Sequence, residues 1–327
     1  MNGPQLLIRL MGQVKQMQNS DMQMQEKVRD ALRNLSGHTH IQTNDFTAQR
    51  LGGLTNMVFK VELANQSLIV RLPGEGTEEF IDRQVELNNA RAAEQAGISA
   101  KVIWADPNTG VMISEFIHNA ATLTPELFRQ RKGSIERVAR CLQTLHSSGV
   151  GFDFQFDLFG VIDSYCLILE KKRQVLPAGF AKAIKACGPI KQKLLKANIE
   201  LAPCHCDPLS ENFLDDGTRV WLVDWEYSGM NDPLWDLGDL SVEAEFDVGQ
   251  DQRLLHTYYG RKATQSELGR MVMYKATCDL LWALWGLIQH VNGADAEDYY
   301  TYALHRFSRC EILMNNVAFQ DHLNAIH

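Results

Sequence analysis

The stretch Pro203-Cys204-His205-Cys206-Asp207-Pro208-Leu209-Ser210-Glu211-Asn212, followed by Val220-Trp221-Leu222-Val223-Asp224, is the densest concentration of reactive side chains in the sequence. Asp207, Asn212 and Asp224 bring two carboxylates and an amide oxygen. Phosphoryl transfer from ATP needs such a set: one carboxylate by the attacking hydroxyl, and an oxygen ligand plus a second carboxylate to hold Mg2+ on the phosphates. The same residues also fit a turn with an Asx cap and a carboxylate on a solvated strand end. His205 reads as a histidine bracing the loop by hydrogen bonds rather than as a catalyst. No separate serine or cysteine nucleophile is required.

The elements that must position these groups follow from periodicity. From Phe46 the texture is β: Met57–Leu63 and Ser67–Leu72 flank Ala64-Asn65-Gln66 as a hairpin. A helix follows, with Asp82 as N-cap, Val85, Ala92 and Ala96 on one face and Gly97 as stop. Lys101–Ala105 and Val111–Glu115 form a second hairpin around Asp106-Pro107-Asn108-Thr109-Gly110. Beyond residue 117 helices dominate, the clearest marked by Ile135, Val138, Ala139, Leu142 and Leu145. Short strands return at Asn212–Leu214 and Val220–Asp224, placing Asp224 at a strand end, and Glu267–His327 reads as helices. Residues 1–36 carry Leu7, Leu10, Met11, Val14 and Met17 at helical spacing, suited to packing or to contact with a second copy in a homo-oligomer. The expected class is α+β, divided as 1–45 (helical extension), 46–117 (small sheet with one helix) and 118–327 (mainly helical).

Size and composition agree. A chain of 327 residues exceeds one compact core and suits two unequal lobes. No apolar run approaches the ~20 residues that span a bilayer. The start of the sequence lacks the pattern of a secretory signal, so a cytoplasmic location is expected. The seven cysteines are scattered without CxxC spacing, which argues against zinc and for reduced thiols. A net charge of −8 without a basic stripe disfavours nucleic acid and is compatible with a cationic substrate.

The segment from His205 to Asp224 resembles the catalytic loop and metal-binding strand of the choline kinase and aminoglycoside phosphotransferase superfamily. That resemblance covers most of residues 45–300 and implies a protein-kinase-like two-lobed fold. It also implies that Asp207 orients or deprotonates the acceptor hydroxyl while Asn212 and Asp224 bind magnesium. Where protein kinases continue Phe-Gly after the metal aspartate, this chain reads Trp225-Glu226-Tyr227, which points to the small-molecule branch. A carboxylate near its ordinary pKa of about 4 is a weak base, so orientation is expected to matter more than deprotonation.

In that frame Leu51-Gly52-Gly53-Leu54-Thr55-Asn56 becomes a phosphate-approaching turn, since paired glycines let backbone N–H groups come close to phosphate oxygens. Standing alone, Gly52-Gly53 fits a tight hairpin turn equally well. Arg71 lies where kinases place a phosphate-binding cation, and Glu86 is its candidate partner, the alternative being a solvated charge on a helix face flanked by Glu79 and Glu94. Ile113–Ile117, including Glu115 and Ile117, resembles the adenine-contacting hinge.

The acceptor is read from aromatic residues. Choline has no hydrogen on its nitrogen, so it calls for aromatic faces and nearby carboxylates. Trp282 and Trp285, three apart, share a helical face. Such a pair is ordinarily core packing, but here it resembles the choline-pocket motif of choline kinases, where Tyr227 and Glu243 also match pocket positions. Asp236 is expected to fix the loop by hydrogen bonding. The leading expectation is ATP-dependent phosphorylation of choline. The alternatives are another amino alcohol (ethanolamine or thiamine), a non-catalytic pseudokinase, and antibiotic modification, the last disfavoured for want of a strongly acidic final helix.

Overall fold

The computed structural model describes residues 22–52, 56–74, 81–294 and 297–327. Gly53 and the apolar positions from Leu7 to Met17 lie outside the described residues. The chain divides into two compact units, one taking the chain up to Leu87 together with Ala100–His118, the other Asn88–Ser99 together with Asn119–His327.

In the first unit β1 (Thr47–Gly52), β2 (Asn56–Glu62), β3 (Ser67–Pro73), β4 (Val102–Asp106) and β5 (Val111–Glu115) form one antiparallel five-stranded sheet in the order β1-β2-β3-β5-β4. Both hairpins read from the sequence are present. Side chains alternate across a strand, so Phe59 and Val61 share a face with their cross-strand partners Val70 and Leu68. Helix α1 (residues 22–32) covers that face with Val28, Ala31 and Leu32, and Leu35 follows just after it. The described part of the N-terminal segment is therefore core of this unit and not an appendage. Arg71 alternates with Val70 and Leu72 and belongs to the opposite face. Helix α2 (Arg83–Gln95) begins where Asp82 Oδ1 accepts the backbone N–H groups of Gln84 and Val85 at 2.9 and 3.1 Å. It ends at Gly97, whose φ of +77° suits a residue without Cβ.

The second unit holds two small sheets. One contains β6 (Ala121–Thr122), β8 (Phe213–Asp215) and β9 (Val220–Leu222); the other pairs β7 (Ala202–Cys204) with β10 (Gly229–Asn231). Its helices are α3 (Pro125–Gln130), α4 (Ser134–His146), α5 (Leu158–Lys171), α6 (Phe180–Lys196), α7 (Pro233–Glu243), α8 (Val248–Tyr259), α9 (Gln265–Val291), α10 (Tyr299–Met314) and α11 (Phe319–Asn324). α9 is the axis of this unit, packed on by α5, α7, α10 and α11. A capping box between Thr264 and Glu267 opens it.

Three expectations need correction. By length and composition α9 is apolar enough to cross a membrane, although no uninterrupted apolar run is visible; 89% of its apolar window is buried inside the protein, as in a core helix. Asn212 does not open a strand but closes a short 3-10 turn, Ser210–Asn212. β9 stops at Leu222, and Asp224 lies beyond it with φ +68°. All seven cysteines are free thiols.

Candidate active site

The loop after β7 is held from below by one carboxylate. Asp236, fully buried on the first turn of α7, accepts the backbone N–H of His205 at 2.7 Å and that of Cys206 at 2.9 Å. Nε2 of His146 lies 3.0 Å from the same carboxylate. The Trp235 indole N–H donates to the Cys206 carbonyl at 3.1 Å, and His205 Nε2 lies 2.9 Å from the Val223 carbonyl. His205 is thus a structural brace. Cys206 takes the left-handed region, φ +65°, which turns the chain sharply at Asp207.

Strand register brings Asn212 and Asp224 to the same end of β8–β9. Phe213 pairs with Leu222, and one step further Val223 donates its N–H to the Asn212 carbonyl at 3.0 Å. The Asn212 side-chain amide reaches back to the Asp207 carbonyl at 3.0 Å, tying the loop to this strand end. Burial first, then the like charges of Asp239, Glu243, Glu226 and Asp224, hold the Asp207 carboxyl well above the ordinary carboxylate range. This differs from the unshifted carboxylate expected from sequence, because desolvation and like-charged neighbours are tertiary properties.

Aromatic rings cluster around Trp282 and Trp285 of α9. Tyr227 meets Trp282 edge-on at 5.5 Å between centroids, and Trp282 meets Trp285 at 6.0 Å. Trp285 in turn contacts Tyr299 at 5.5 Å and Tyr302 at 6.0 Å. Asp207 acts electrostatically on Tyr227, Tyr302 and Tyr165. Tyr165, Tyr299 and Tyr302 were not singled out from sequence; the i, i+3 spacing of the last two on α10 was the available signal. Glu243 is present but not alone: its carboxylate is paired with Arg306.

In the first unit Arg71 and Glu86 form the expected ion pair, and Arg83 adds a second guanidinium to Glu86 at 2.8 Å. Burial works to raise the Glu86 carboxyl, but the charges of Arg71 and Arg83 outweigh it and hold it below the usual range. Gly52 ends β1 after a register shift from Arg50, and Asn56 opens β2, buried. Glu115, exposed at the end of β5, donates its backbone N–H to the Lys101 carbonyl at 2.9 Å, while Ile117 follows in irregular chain. A surface cavity of about 480 Å³ bounded by Asp232, Tyr258, Tyr259 and Arg270 contains none of these residues.

Comparison with known proteins bears on the family and the fold. The family model for choline/ethanolamine kinase matches residues 48–267. A choline/ethanolamine kinase family protein from Mesorhizobium loti is 45% identical with a TM-score of 0.84, over 92% of this chain and 98% of that one. The choline kinase LicA from Streptococcus pneumoniae is 27% identical with a TM-score of 0.76, over 89% and 99% of the two chains. A LicA structure in complex with AMP is 29% identical, TM-score 0.69, over 82% and 91%. With a kinase-like fold, a braced Asp207 loop and a match spanning both units, the chain belongs to the choline/ethanolamine kinase family and is a choline kinase-like phosphotransferase.

Proposed function

We propose that the protein transfers the γ-phosphoryl group of ATP to the hydroxyl of choline, giving ADP and phosphocholine. The observation that carries this reading is the run of rings from Tyr227 through Trp282 and Trp285 to Tyr302, with the charge of Asp207 acting on both Tyr227 and Tyr302. Aromatic faces and nearby carboxylates are what a trimethylammonium group requires. The raised Asp207 carboxyl makes its ionised form a stronger base than an ordinary carboxylate, which suits a general base. It would orient the hydroxyl and accept its proton as the O–P bond forms.

Asn212 and Asp224 are hard oxygen donors of the kind Mg2+ takes. They leave one end of β8–β9 together, so the donor set fits the ion, and it would supply positive charge to the transferring phosphates. Arg71, kept rigid by Glu86, together with Gly52 and Asn56, would steady the nucleotide phosphates, and the Glu115–Ile117 backbone would meet the adenine. We place the enzyme in the cytoplasm, where ATP is supplied.

Ethanolamine is the second reading, favoured by a buried Asp239 oxygen without a hydrogen-bond partner among the described residues, which could accept from an ammonium N–H. A coupled ADP-release assay with choline, ethanolamine and thiamine decides. Choline is expected to show the highest kcat/KM; brisk turnover of another alcohol with none of choline would overturn the assignment.

A further inference from the structure

The obvious counter-charge for a cationic head group is Glu243, yet its charge is already spent within the protein. Arg306, buried on α10, pairs with Glu243 and lies 2.9 Å from Asp279. Arg309 adds an ion pair to Asp279 at 2.6 Å. Two guanidiniums thus balance the carboxylates of Glu243 and Asp279. Asp239 remains. It is fully buried on α7, its Oδ1 accepts from the Cys278 thiol at 3.0 Å, and its Oδ2 has no hydrogen-bond partner among the described residues.

The surroundings of Asp239 tie it to the acceptor end of the site. Among the carboxylates acting on Asp207 its influence is the largest. Cys278, Trp282 and Trp285 follow one another at i, i+4 and i+7 on α9, and Tyr299, Tyr302 and Arg306 at i, i+3 and i+7 on α10. Asp239 and Glu243 stand one turn apart on α7, and their carboxylate oxygens and the Cys278 sulfur lie within 4.8 Å of one another. A second buried polar atom, Nε1 of Trp282, also has no hydrogen-bond partner among the described residues.

We propose that Asp239 is the specificity-determining residue that supplies the uncompensated negative charge for the cationic head group, and that it gives up a proton when the cation binds. This rests on the cationic-alcohol reading above. Other charged and titratable groups act on it: Asp236 and Glu243 on its own helix, Cys278 from α9, and Arg306, of opposite charge, from α10, while Asp279 and Tyr302 lie against Arg306. From the loop come Cys206 and Asp207. Asp251 of α8 is occupied by Ser241 and by Lys275 at 2.6 Å. Burial, then the like charge of Glu243, raises the Asp239 carboxyl well above the ordinary range, so the empty site favours its neutral form. A bound cation favours the ionised form, and the proton leaves to solvent.

The test uses the full-length protein with ADP and magnesium and two ligands: choline and its uncharged isostere, in which a tert-butyl group replaces the trimethylammonium. Calorimetry in buffers of different ionisation enthalpy should show about one proton released per choline bound at pH values where empty-site Asp239 is protonated, and none for the isostere. Asp239→Asn keeps an acceptor for Cys278; it should abolish the release and weaken choline by at least about tenfold while sparing the isostere. Unchanged proton release in the variant, or equal loss for both ligands, overturns the proposal. Should the variant not fold, Asp207→Asn, which removes the other raised carboxyl of the site, suffices. Its ratio of choline to isostere affinity must climb with pH until Asp239 is ionised in the empty site, and a flat ratio overturns the proposal. If the ADP assay shows turnover of ethanolamine and none of choline, the choline reading fails, and the same titration with ethanolammonium judges Asp239.

Discussion

Nε2 of His146 on α4 and Oδ2 of Asp236 on α7 stand 3.0 Å apart, and that oxygen also receives the backbone N–H of His205. A single buried carboxylate therefore couples two helices to the loop that carries Asp207. Asp236 touches no reacting atom; it is a positioning residue.

Replacing Asp236 with Ala should cost stability and turnover together. Hydrogen bonds to a buried charged group contribute roughly 1.5–3 kcal/mol each. Asp236→Asn keeps one acceptor oxygen but turns an N–H donor toward the other backbone N–H, so it should melt between the wild type and Asp236→Ala. Misplacement of the loop by about 1 Å would still lower kcat by up to about a hundredfold. The variant's KM for ATP should stay near the wild-type value. A fully active Asp236→Asn enzyme would show that the carboxylate serves stability alone.

Asp207→Asn should lower kcat by about 10²–10⁴-fold, the usual span for a positioned acid–base group. Nucleotide affinity should change little, because the loss falls on the acceptor proton. Single-turnover kinetics with saturating ATP, beside a nucleotide-binding titration, separates the two. Parallel loss of nucleotide binding would move Asp207 to the metal set.

Asp224→Ala should act in the opposite pattern, weakening magnesium-dependent nucleotide binding first. Titrating magnesium at fixed ATP would reveal a raised requirement for the ion. An unaltered magnesium dependence would leave Asp224 without a metal role.

Trp285→Phe keeps a ring against Tyr299 and Tyr302 and should raise KM for choline several-fold. A cation over an aromatic face contributes about 0.5–2 kcal/mol, and the indole is the best of these faces. KM for ATP should hold. Thermal melting belongs beside the kinetics, because a drop in Tm with unchanged KM would make Trp285 a packing residue only.

Glu86 predicts a pH signature. Its carboxyl is depressed in the folded protein, so the ion pair with Arg71 stabilises fully above the unfolded value of about 4.3 and is lost as pH falls through the lower folded value. Unfolding free energies from urea titrations of the wild-type protein and Glu86→Gln should differ by a constant amount from pH 5 upward, roughly 3–5 kcal/mol, and converge in acid. A difference independent of pH would assign the effect to packing.

Much of this was legible in the residue order. Alternation of apolar side chains marks β2 and β3, Asp82 and Gly97 bound α2, and Asp207, Asn212 and Asp224 already offer the oxygen groups that phosphoryl transfer needs, because these are local patterns written in one stretch of chain. Tertiary structure alone decided the rest. Whether Glu243 is a free charge depends on Arg306, which lies 63 residues away in sequence. The affinity of Asp207 for a proton depends on Asp239 and Glu243, brought to it from another helix. The two indoles of α9 acquire Tyr227 and Tyr302 as neighbours only once three segments are packed together. Spacing along a chain reports which groups can share an element, while desolvation and charge balance arise from the sum of everything folded around them.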